Sequence, residues 1–264
     1  VNLFELDDLG PQELKGFAAS VSAWRVVGES RTEGRFEALH GMQLSPLVGR
    51  DQEFALLLDR WRLAKGGEGQ VVLLSGEPGI GKSRLVRELC EAIRDERHFH
   101  LLHQCSPHHA NTALHPVIRR LERATGIAAA DTIDAKLDKL EALLRLATPN
   151  IDAIAPLFAN FLSIPAEGRY GALDLTPQQR RDRSIEALVG QVLALSQQRP
   201  VLFILEDAHL IDSMTETLVA ELIARVTNAA VFVLITHRSD YAPPWTGHPH
   251  LTSVTLNRLS RGQG

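Results

Sequence analysis

Residues 70–97 read QVVLLSGEPGIGKSRLVRELCEAIRDER and contain three local patterns in succession. The continuous apolar run at 70–75 predicts a β-strand that is buried on both faces. The segment from Lys82 onward carries apolar residues at helical spacing, so it predicts an amphipathic α-helix. The apolar residues of that helix are Leu85, Val86, Leu89, Cys90 and Ile93. A glycine-rich loop therefore joins the end of a buried strand to the start of a helix.

This loop, GEPGIGKS from Gly76 to Ser83, matches the pattern G-x-x-x-x-G-K-[ST] at every fixed position. Glycines at 76, 79 and 81 permit backbone angles that let successive N–H groups point at one anion. The helix N-terminus adds roughly half a positive charge. The pattern predicts a nucleotide polyphosphate site in which Lys82 reaches the β- and γ-phosphates and the Ser83 hydroxyl binds Mg²⁺. The alternative is a chance glycine turn before a helix.

The predicted phosphate site covers the whole loop and the first turn of the helix. Its residues are Gly76, Glu77, Pro78, Gly79, Ile80, Gly81, Lys82, Ser83 and Arg84. The dinucleotide fingerprint does not fit, because Arg84 stands where the third glycine of that motif belongs.

Strand-like and helix-like patterns alternate along the rest of the chain. Further strands are predicted at 98–105, 201–205, 231–235 and 251–256, and helices at 52–65, 113–125, 131–147 and 151–162. Thr176, Pro177 and Gln179 predict another helix start with a capping box, and Ser213 with Glu216 predicts a second one. This alternation predicts a three-layer α/β fold with a mostly parallel sheet, of the P-loop NTPase type.

The strand VLFILED at 201–207 ends in two carboxylates. In a parallel sheet ligands bind beyond the carboxyl ends of the strands, so Glu206 and Asp207 are expected at the same edge as the glycine loop. We assign Glu206 to Mg²⁺ and Asp207 to the attacking water, with the order of these two roles left open. With Lys82 they are the predicted catalytic residues. The alternative is a solvated pair of acids between strand and loop.

Two further segments are candidates for nucleotide contacts. Thr236, His237 and Arg238 end the strand at 231–235, where Thr236 and Arg238 can sense the γ-phosphate, although an ordinary polar strand end explains them equally well. The residues Val48, Gly49 and Arg50 form a turn that can pack against adenine. The alternative is an ordinary turn at the point where the chain enters the domain. The histidines between 98 and 109 lack the paired spacing of structural zinc ligands, so a zinc site is not expected.

Composition limits the class of protein. Lys and Arg number 28 against 32 Asp and Glu, so the net charge is −4. The sequence as a whole provides no positive field for a nucleic-acid backbone, although a local patch could, and nucleic acid is not an expected partner. Two cysteines cannot form a disulfide framework, which favours a reducing cytoplasm. No apolar run approaches the roughly 20 residues that span a bilayer, so no membrane association is expected.

The chain divides into three parts by composition. Residues 1–28 contain two strand-like segments that cannot bury a core alone, residues 29–44 are polar and linker-like, and residues 45–264 contain the alternating pattern. The chain begins with Val1 rather than Met, which suggests a piece of a longer protein.

Several segments resemble one family. The chain resembles the ATPase module of multidomain class III adenylate/guanylate cyclase-like proteins. The segments that carry this resemblance are PLVGRDQEFALLLDRW at 46–61, the glycine loop, QCSPHHANTALHPVIRRLERATG at 104–126, TPQQRRDRSIEAL at 176–188, VLFILEDAHLID at 201–212 and PPWTGHPHLTSVTLNRLSRGQG at 243–264. That module is itself similar to Orc1-like AAA and STAND ATPases. Residues 4–30 look like the C-terminal end of a class III cyclase domain.

The resemblance implies a regulatory switch that binds ATP with Mg²⁺, hydrolyses it slowly, alternates between ATP and ADP, and acts on effector or cyclase domains of a longer chain. It also implies ATP-dependent self-association, and ATP hydrolysis without the family's lid and winged-helix segments is left open. Leu210 stands where the family usually has Trp, and Ser239 where it often has Pro. Two alternatives remain: a part of an adenylate cyclase whose catalytic residues lie outside this chain, and a non-catalytic nucleotide-binding interaction module.

Overall fold

The computed structural model describes residues 4–13, 15–17, 19–29 and 48–259. The chain divides into two compact units, with the boundary between Pro46 and Leu47. The predicted linker falls almost entirely on residues 30–44, which lie outside the described residues.

The first unit contains a β-hairpin. Strand β1 (Phe4–Gln12) pairs antiparallel with β2 (Val21–Glu29), and an ion pair joins Asp7 to Arg25 across the strands. Strand β1 continues to Gln12, with irregular pairing between Asp8 and Pro11. A bulged strand accommodates Pro11 because a proline cannot donate to a regular ladder.

The second unit is built on a five-stranded parallel sheet. Its strands are β3 (Gln70–Gly76), β4 (Phe99–Gln104), β5 (Val201–Glu206), β6 (Val231–His237) and β7 (Leu251–Leu256). Their order is β4-β5-β6-β3-β7, with every neighbouring pair parallel. The predicted α/β fold is confirmed, and the carboxyl ends of all five strands meet at one edge.

Helices cover both faces of this sheet. They are α1 (Asp51–Lys65), α2 (Lys82–Ala92), α3 (His115–Thr125), α4 (Ile133–Leu144), α5 (Ala155–Phe161), α6 (Glu167–Tyr170), α7 (Pro177–Ser196) and α8 (Ser213–Arg225). Alternate residues of β3 enter different cores: Val72 and Leu74 join the core with α1 and α2, while Val71 and Leu73 join the core with α3, α5, α7 and α8. This alternation produces three layers.

The two predicted capping boxes have different outcomes. Thr176 caps α7, and its side chain accepts from the backbone N–H of Gln179, whose side chain accepts in return, so that prediction is confirmed. The prediction at Ser213 is wrong, because Asp212 is the N-cap of α8 and accepts from the N–H groups of Met214 and Thr215. Asp212 is buried and also accepts from the backbone N–H of Leu114, whereas Ser213 is exposed. None of the described helices is long and apolar enough to cross a membrane.

Candidate functional site

The glycine loop lies between β3 and α2 at the carboxyl edge of the sheet. Gly79 has a φ of 77° and Gly81 a φ of 106°, values that other residues rarely adopt. Gly81 is the N-cap of α2, and no side chain caps this helix. The first backbone N–H groups of α2 therefore have no intrahelical acceptor and are available to an anion at the loop.

Lys82 lies at the centre of the loop. Its side chain is only 9% exposed, and its Nζ donates to the carbonyl oxygens of Gly76 at 2.7 Å and Glu77 at 3.0 Å. Burial lowers the pKa of Lys82, and the nearby Arg238 lowers it further, while the negative charge of Asp207 opposes both. The lysine thus interacts with the carboxylate that follows β5.

The two predicted acids lie at the same edge of the sheet as the glycine loop. Glu206 is the last residue of β5 and is 5% exposed, and Asp207 follows it directly. Strand β6 separates β5 from β3, with Leu205 of β5 in register with Ile235 of β6, which in turn is in register with Leu73 of β3. One strand therefore separates the acids from the strand that leads into the loop.

Thr236 fixes the backbone of Asp207. The Oγ1 of Thr236, which is 1% exposed, accepts a hydrogen bond from the backbone N–H of Asp207 at 3.1 Å. Asp207 has a φ of 58°, an uncommon conformation for a residue with a Cβ. The hydroxyl that was predicted to sense phosphate is thus bonded to the turn from Asp207 to Asp212, here called the acid turn.

The remaining basic candidates occupy different environments. Arg238 is exposed, and its charge acts on Lys82, whose pKa it lowers. Arg84 forms an ion pair with Glu88 along α2. Arg84 is therefore engaged along α2, whereas Arg238 is exposed to solvent.

The turn at residues 48–50 is connected to the glycine loop through the segment after β7. The Arg50 guanidinium is buried and donates to Glu53 at 3.0 Å and to the carbonyl oxygen of Asn257. The next residue, Arg258, donates to the carboxylate of Glu77 at 2.9 Å. Val48 is 51% exposed. The side chain of Arg50 therefore holds the fold together, whereas Val48 remains open to a ligand.

Two histidines near Lys82 stay neutral. Burial lowers the pKa of His209 and of His237, and the charge of Lys82 lowers both further. Both ring nitrogens of His209 are buried without a hydrogen-bond partner in the described part of the chain. His209 was not among the predicted site residues, although its place two residues after Asp207 was a usable signal.

Asp212 was also not among the predicted site residues. It is 4% exposed, and its Oδ1 accepts from the backbone N–H groups of Leu114 at 3.0 Å and Thr215 at 2.9 Å. Asp212 therefore joins the loop before α3 to the start of α8. Among the described residues no group of three or more His, Cys, Asp or Glu side chains is arranged to hold a metal ion.

Comparison of the sequence with known proteins indicates the family of this chain. The AAA ATPase domain family matches residues 46–235, which is most of the chain. An uncharacterized protein of Rhizobium meliloti (strain 1021) is 30% identical over 250 residues, which cover 95% of this chain and 24% of that protein. The chain thus spans about a quarter of the length of this curated relative.

Solved structures with a similar fold are distant in sequence. The Orc1 protein of Aeropyrum pernix, in complex with DNA, matches 85% of this chain and 49% of its own, with 13% identity and a TM-score of 0.49. A STAND protein with a tetratricopeptide repeat sensor from Pyrococcus horikoshii matches 81% of this chain and 24% of its own, with 13% identity and a TM-score of 0.41.

The family match includes the glycine loop, the carboxylates of Glu206 and Asp207, and β6 up to Ile235. These are the elements that meet at one edge of the parallel sheet. The chain therefore belongs to the AAA ATPase domain family.

Proposed function

We propose that the second unit binds ATP with Mg²⁺ at the carboxyl edge of its sheet, hydrolyses it slowly and acts as a regulatory switch. The observation that carries this proposal is the position of Lys82. Its ammonium group donates to two carbonyl oxygens of the loop at the uncapped N-terminus of α2. The same group interacts with the charge of Asp207, which lies at the same edge of the sheet. Cationic and N–H donors on one side and carboxylates on the other fit a phosphate group with its metal ion.

The loop provides the donors that a polyphosphate needs. The Lys82 Nζ has two acceptors, both of them loop carbonyls, and a γ-phosphate offers a stronger charged acceptor. The N–H groups of the first turn of α2 add further donors. In this proposal Gly76–Arg84 contact the phosphates, and Thr236 contributes by holding the acid turn rather than by touching phosphate.

The donor set also fits Mg²⁺, which prefers oxygen ligands. The Ser83 hydroxyl and the Glu206 carboxylate would hold the ion, which when bound neutralises charge on the phosphates. Asp207 would accept a hydrogen bond from the attacking water and orient it. The left-handed backbone of Asp207, fixed by Thr236, would aim this carboxylate.

The base would lie against the turn at residues 48–50. Since the Arg50 side chain is committed to Glu53 and Asn257, the contact with adenine falls on the exposed Val48 and the backbone of Gly49. Apolar contact of this kind binds a planar base with little discrimination between purines.

The test is nucleotide binding by the whole chain and its Lys82→Ala variant. We expect ATP·Mg²⁺ affinity to fall at least 100-fold in the variant, because a buried charge-assisted contact to phosphate is lost. Titration calorimetry with ATP, GTP and ADP measures it, and phosphate release measures turnover. Lys15→Ala in the exposed hairpin unit is the matched control and should bind like the wild type.

Circular dichroism shows whether the Lys82→Ala variant keeps its fold. Unchanged ATP affinity in a folded variant would refute the site. Tight ADP retention without phosphate release would favour the non-catalytic interaction module over the ATPase.

We also propose that the switch serves a cyclase-like signalling protein, with residues 1–28 as the end of a cyclase-like domain, residues 29–44 as a linker and residues 45–264 as the ATPase. The support is the resemblance of residues 4–30 and the division of the chain between Pro46 and Leu47. The test is cyclic AMP synthesis by the longer protein with and without Lys82→Ala. Sedimentation with ATP against ADP tests self-association.

A further inference from the structure

The glycine loop contains one carboxylate, that of Glu77. This side chain is 57% exposed, and the backbone carbonyl oxygen of the same residue accepts from the Lys82 Nζ at 3.0 Å. A carboxylate beside a polyphosphate repels it, because both groups are negatively charged. The loop therefore needs a nearby cation if Glu77 is not to weaken the binding of a nucleotide.

Arg258 supplies that cation. Its Nη2 donates to the Oε2 of Glu77 at 2.9 Å, and its Nε donates to the same oxygen at 3.2 Å. Two donors from one planar guanidinium fix the direction of approach as well as the distance. Arg258 is the second residue after β7, so the charge of the loop is compensated by a residue 181 positions further along the chain.

The position of Arg258 follows from the contacts of the residues before it. Leu256, the last residue of β7, is in register with Gly76, the last residue of β3. The two backbones are so close that a Cβ at Gly76 would lie 3.2 Å from the carbonyl oxygen of Leu256. The buried guanidinium of Arg50 then holds the carbonyl oxygen of Asn257. The chain thus leaves the sheet beside the start of the glycine loop, which brings the next side chain onto the loop.

We propose that Arg258 is a positioning residue of the nucleotide site, which neutralises Glu77, and that bound ATP in turn holds the exit segment (residues 257–259) on the glycine loop. This role rests on the proposed function, and Arg258 acts through Glu77 without touching phosphate. If the docked exit segment strengthens ATP binding by a given factor, ATP strengthens docking by the same factor. The occupied nucleotide site therefore fixes the path of the exit segment.

The expected effect is moderate. The ion pair is exposed, with 82% of the Arg258 side chain accessible, and exposed charges are screened by solvent and salt. We expect the loss of one such charge to change ATP affinity about threefold to fivefold at low ionic strength, and less than about twofold in about 0.5 M salt. The effect should be larger for ATP than for ADP, since the repulsion grows with the charge of the polyphosphate.

The experiment is a double-mutant cycle on the full 264-residue chain. Titration calorimetry with ATP·Mg²⁺ and ADP·Mg²⁺ is carried out on the wild type, Arg258→Gln, Glu77→Gln and the double variant. Arg258→Gln should bind ATP about threefold to fivefold more weakly, and adding Glu77→Gln should restore the wild-type affinity to within about twofold. Arg62→Gln is the matched control, because it removes the same charge from an exposed ion pair with Asp59 on α1, and it should leave both affinities unchanged.

Limited digestion with trypsin tests whether ATP holds the exit segment. Trypsin binds a free arginine side chain, so cleavage after Arg258 requires the guanidinium to leave Glu77. ATP·Mg²⁺ should slow the formation of fragment 1–258 by up to about threefold to fivefold in the wild type, and mass spectrometry measures this rate. In Glu77→Gln the cleavage should be faster without nucleotide and should no longer depend on ATP.

The outcomes separate the role of Arg258 from the nucleotide site itself. An Arg258→Gln variant that is folded by circular dichroism and binds ATP like the wild type overturns the role of Arg258 and leaves the nucleotide site intact. A loss of affinity that Glu77→Gln does not restore, or ATP protection that persists in Glu77→Gln, means that Arg258 contacts phosphate itself, which also overturns the proposal. Absence of ATP binding by the wild type overturns the proposed function and the role of Arg258 with it.

Discussion

Two turns at the same edge of the sheet are built by opposite means. The loop from Gly76 to Gly81 takes its shape from glycines with positive φ, and the helix that follows it has no side-chain cap. The turn from Asp207 to Asp212 takes its shape from side chains, since Thr236 accepts from the Asp207 N–H and Asp212 caps α8.

The difference concerns which polar groups remain available. The glycine loop leaves backbone N–H groups unbonded at the surface, where a ligand can take them. In the acid turn, Thr236 takes up the N–H of Asp207, and backbone N–H groups and the Thr215 hydroxyl hold the Asp212 carboxylate. A site for an anion and a cation needs both kinds of turn, because free donors bind the first and positioned acceptors bind the second.

The largest effect on stability should come from Asp212. Its Oδ1 accepts from three backbone N–H groups and its Oδ2 accepts from the Thr215 hydroxyl at 2.6 Å. Asp212→Ala leaves several buried donors unsatisfied, so the free energy of unfolding should fall by about 3 kcal/mol. Urea denaturation followed by circular dichroism measures it.

Ser213→Ala is the matched control for that prediction. Ser213 is exposed and was the cap expected from the sequence, so its removal should change the free energy of unfolding by less than about 0.5 kcal/mol. A larger cost for Ser213→Ala than for Asp212→Ala would contradict the contrast between the two turns.

Adding a Cβ to the glycine loop and removing one from the acid turn should have different effects on stability. Gly81→Ala places a side chain at a φ of 106°, so it should cost about 1–2 kcal/mol of stability and weaken ATP binding more than tenfold. Asp207→Gly removes a Cβ at a φ of 58°, and relief of strain should nearly offset the added freedom of the unfolded chain, leaving a change below about 0.5 kcal/mol. Equal costs in chemical denaturation would show that glycine does not define the loop.

The hydroxyl of Thr236 is the next contact to test. Thr236→Val keeps the shape of the side chain but leaves the buried N–H of Asp207 without its acceptor, so it should cost about 1 kcal/mol. Thr236→Ser should restore most of that stability. Thermal unfolding of the three proteins measures it, and a valine variant as stable as the serine variant would exclude this role.

The contrast also explains what the sequence could predict. The glycine loop and the parallel sheet follow from local features, namely residue types at fixed spacing and continuous apolar strands such as 231–235. The position of Glu206 at the carboxyl edge follows from strand order alone. Each of these depends on backbone conformation, which short segments specify.

Contacts between distant residues could not be predicted in the same way. The bond from Asp212 to Leu114 spans 98 positions, and that from Arg50 to Asn257 spans 207. Ser213 was a reasonable cap by local rules, but burial of Asp212 against the loop before α3 decided the competition.

The smallest effect should appear in the pH dependence of stability, and it should arise from His237 at the end of β6. Burial keeps the pKa of His237 below its ordinary value of 6.5, and Lys82 lowers it further, so the unfolded chain binds more protons than the folded one as the pH falls. The stability that neutral His237 contributes is therefore complete above about pH 7 and is lost progressively below 6.5. His237→Asn, which can still donate to the Arg238 carbonyl, should flatten the decline in unfolding free energy between about pH 7 and 5. His108→Asn on an exposed turn should leave the slope unchanged. A decline equally steep in both variants would mean that His237 does not set the pH dependence of stability in this range.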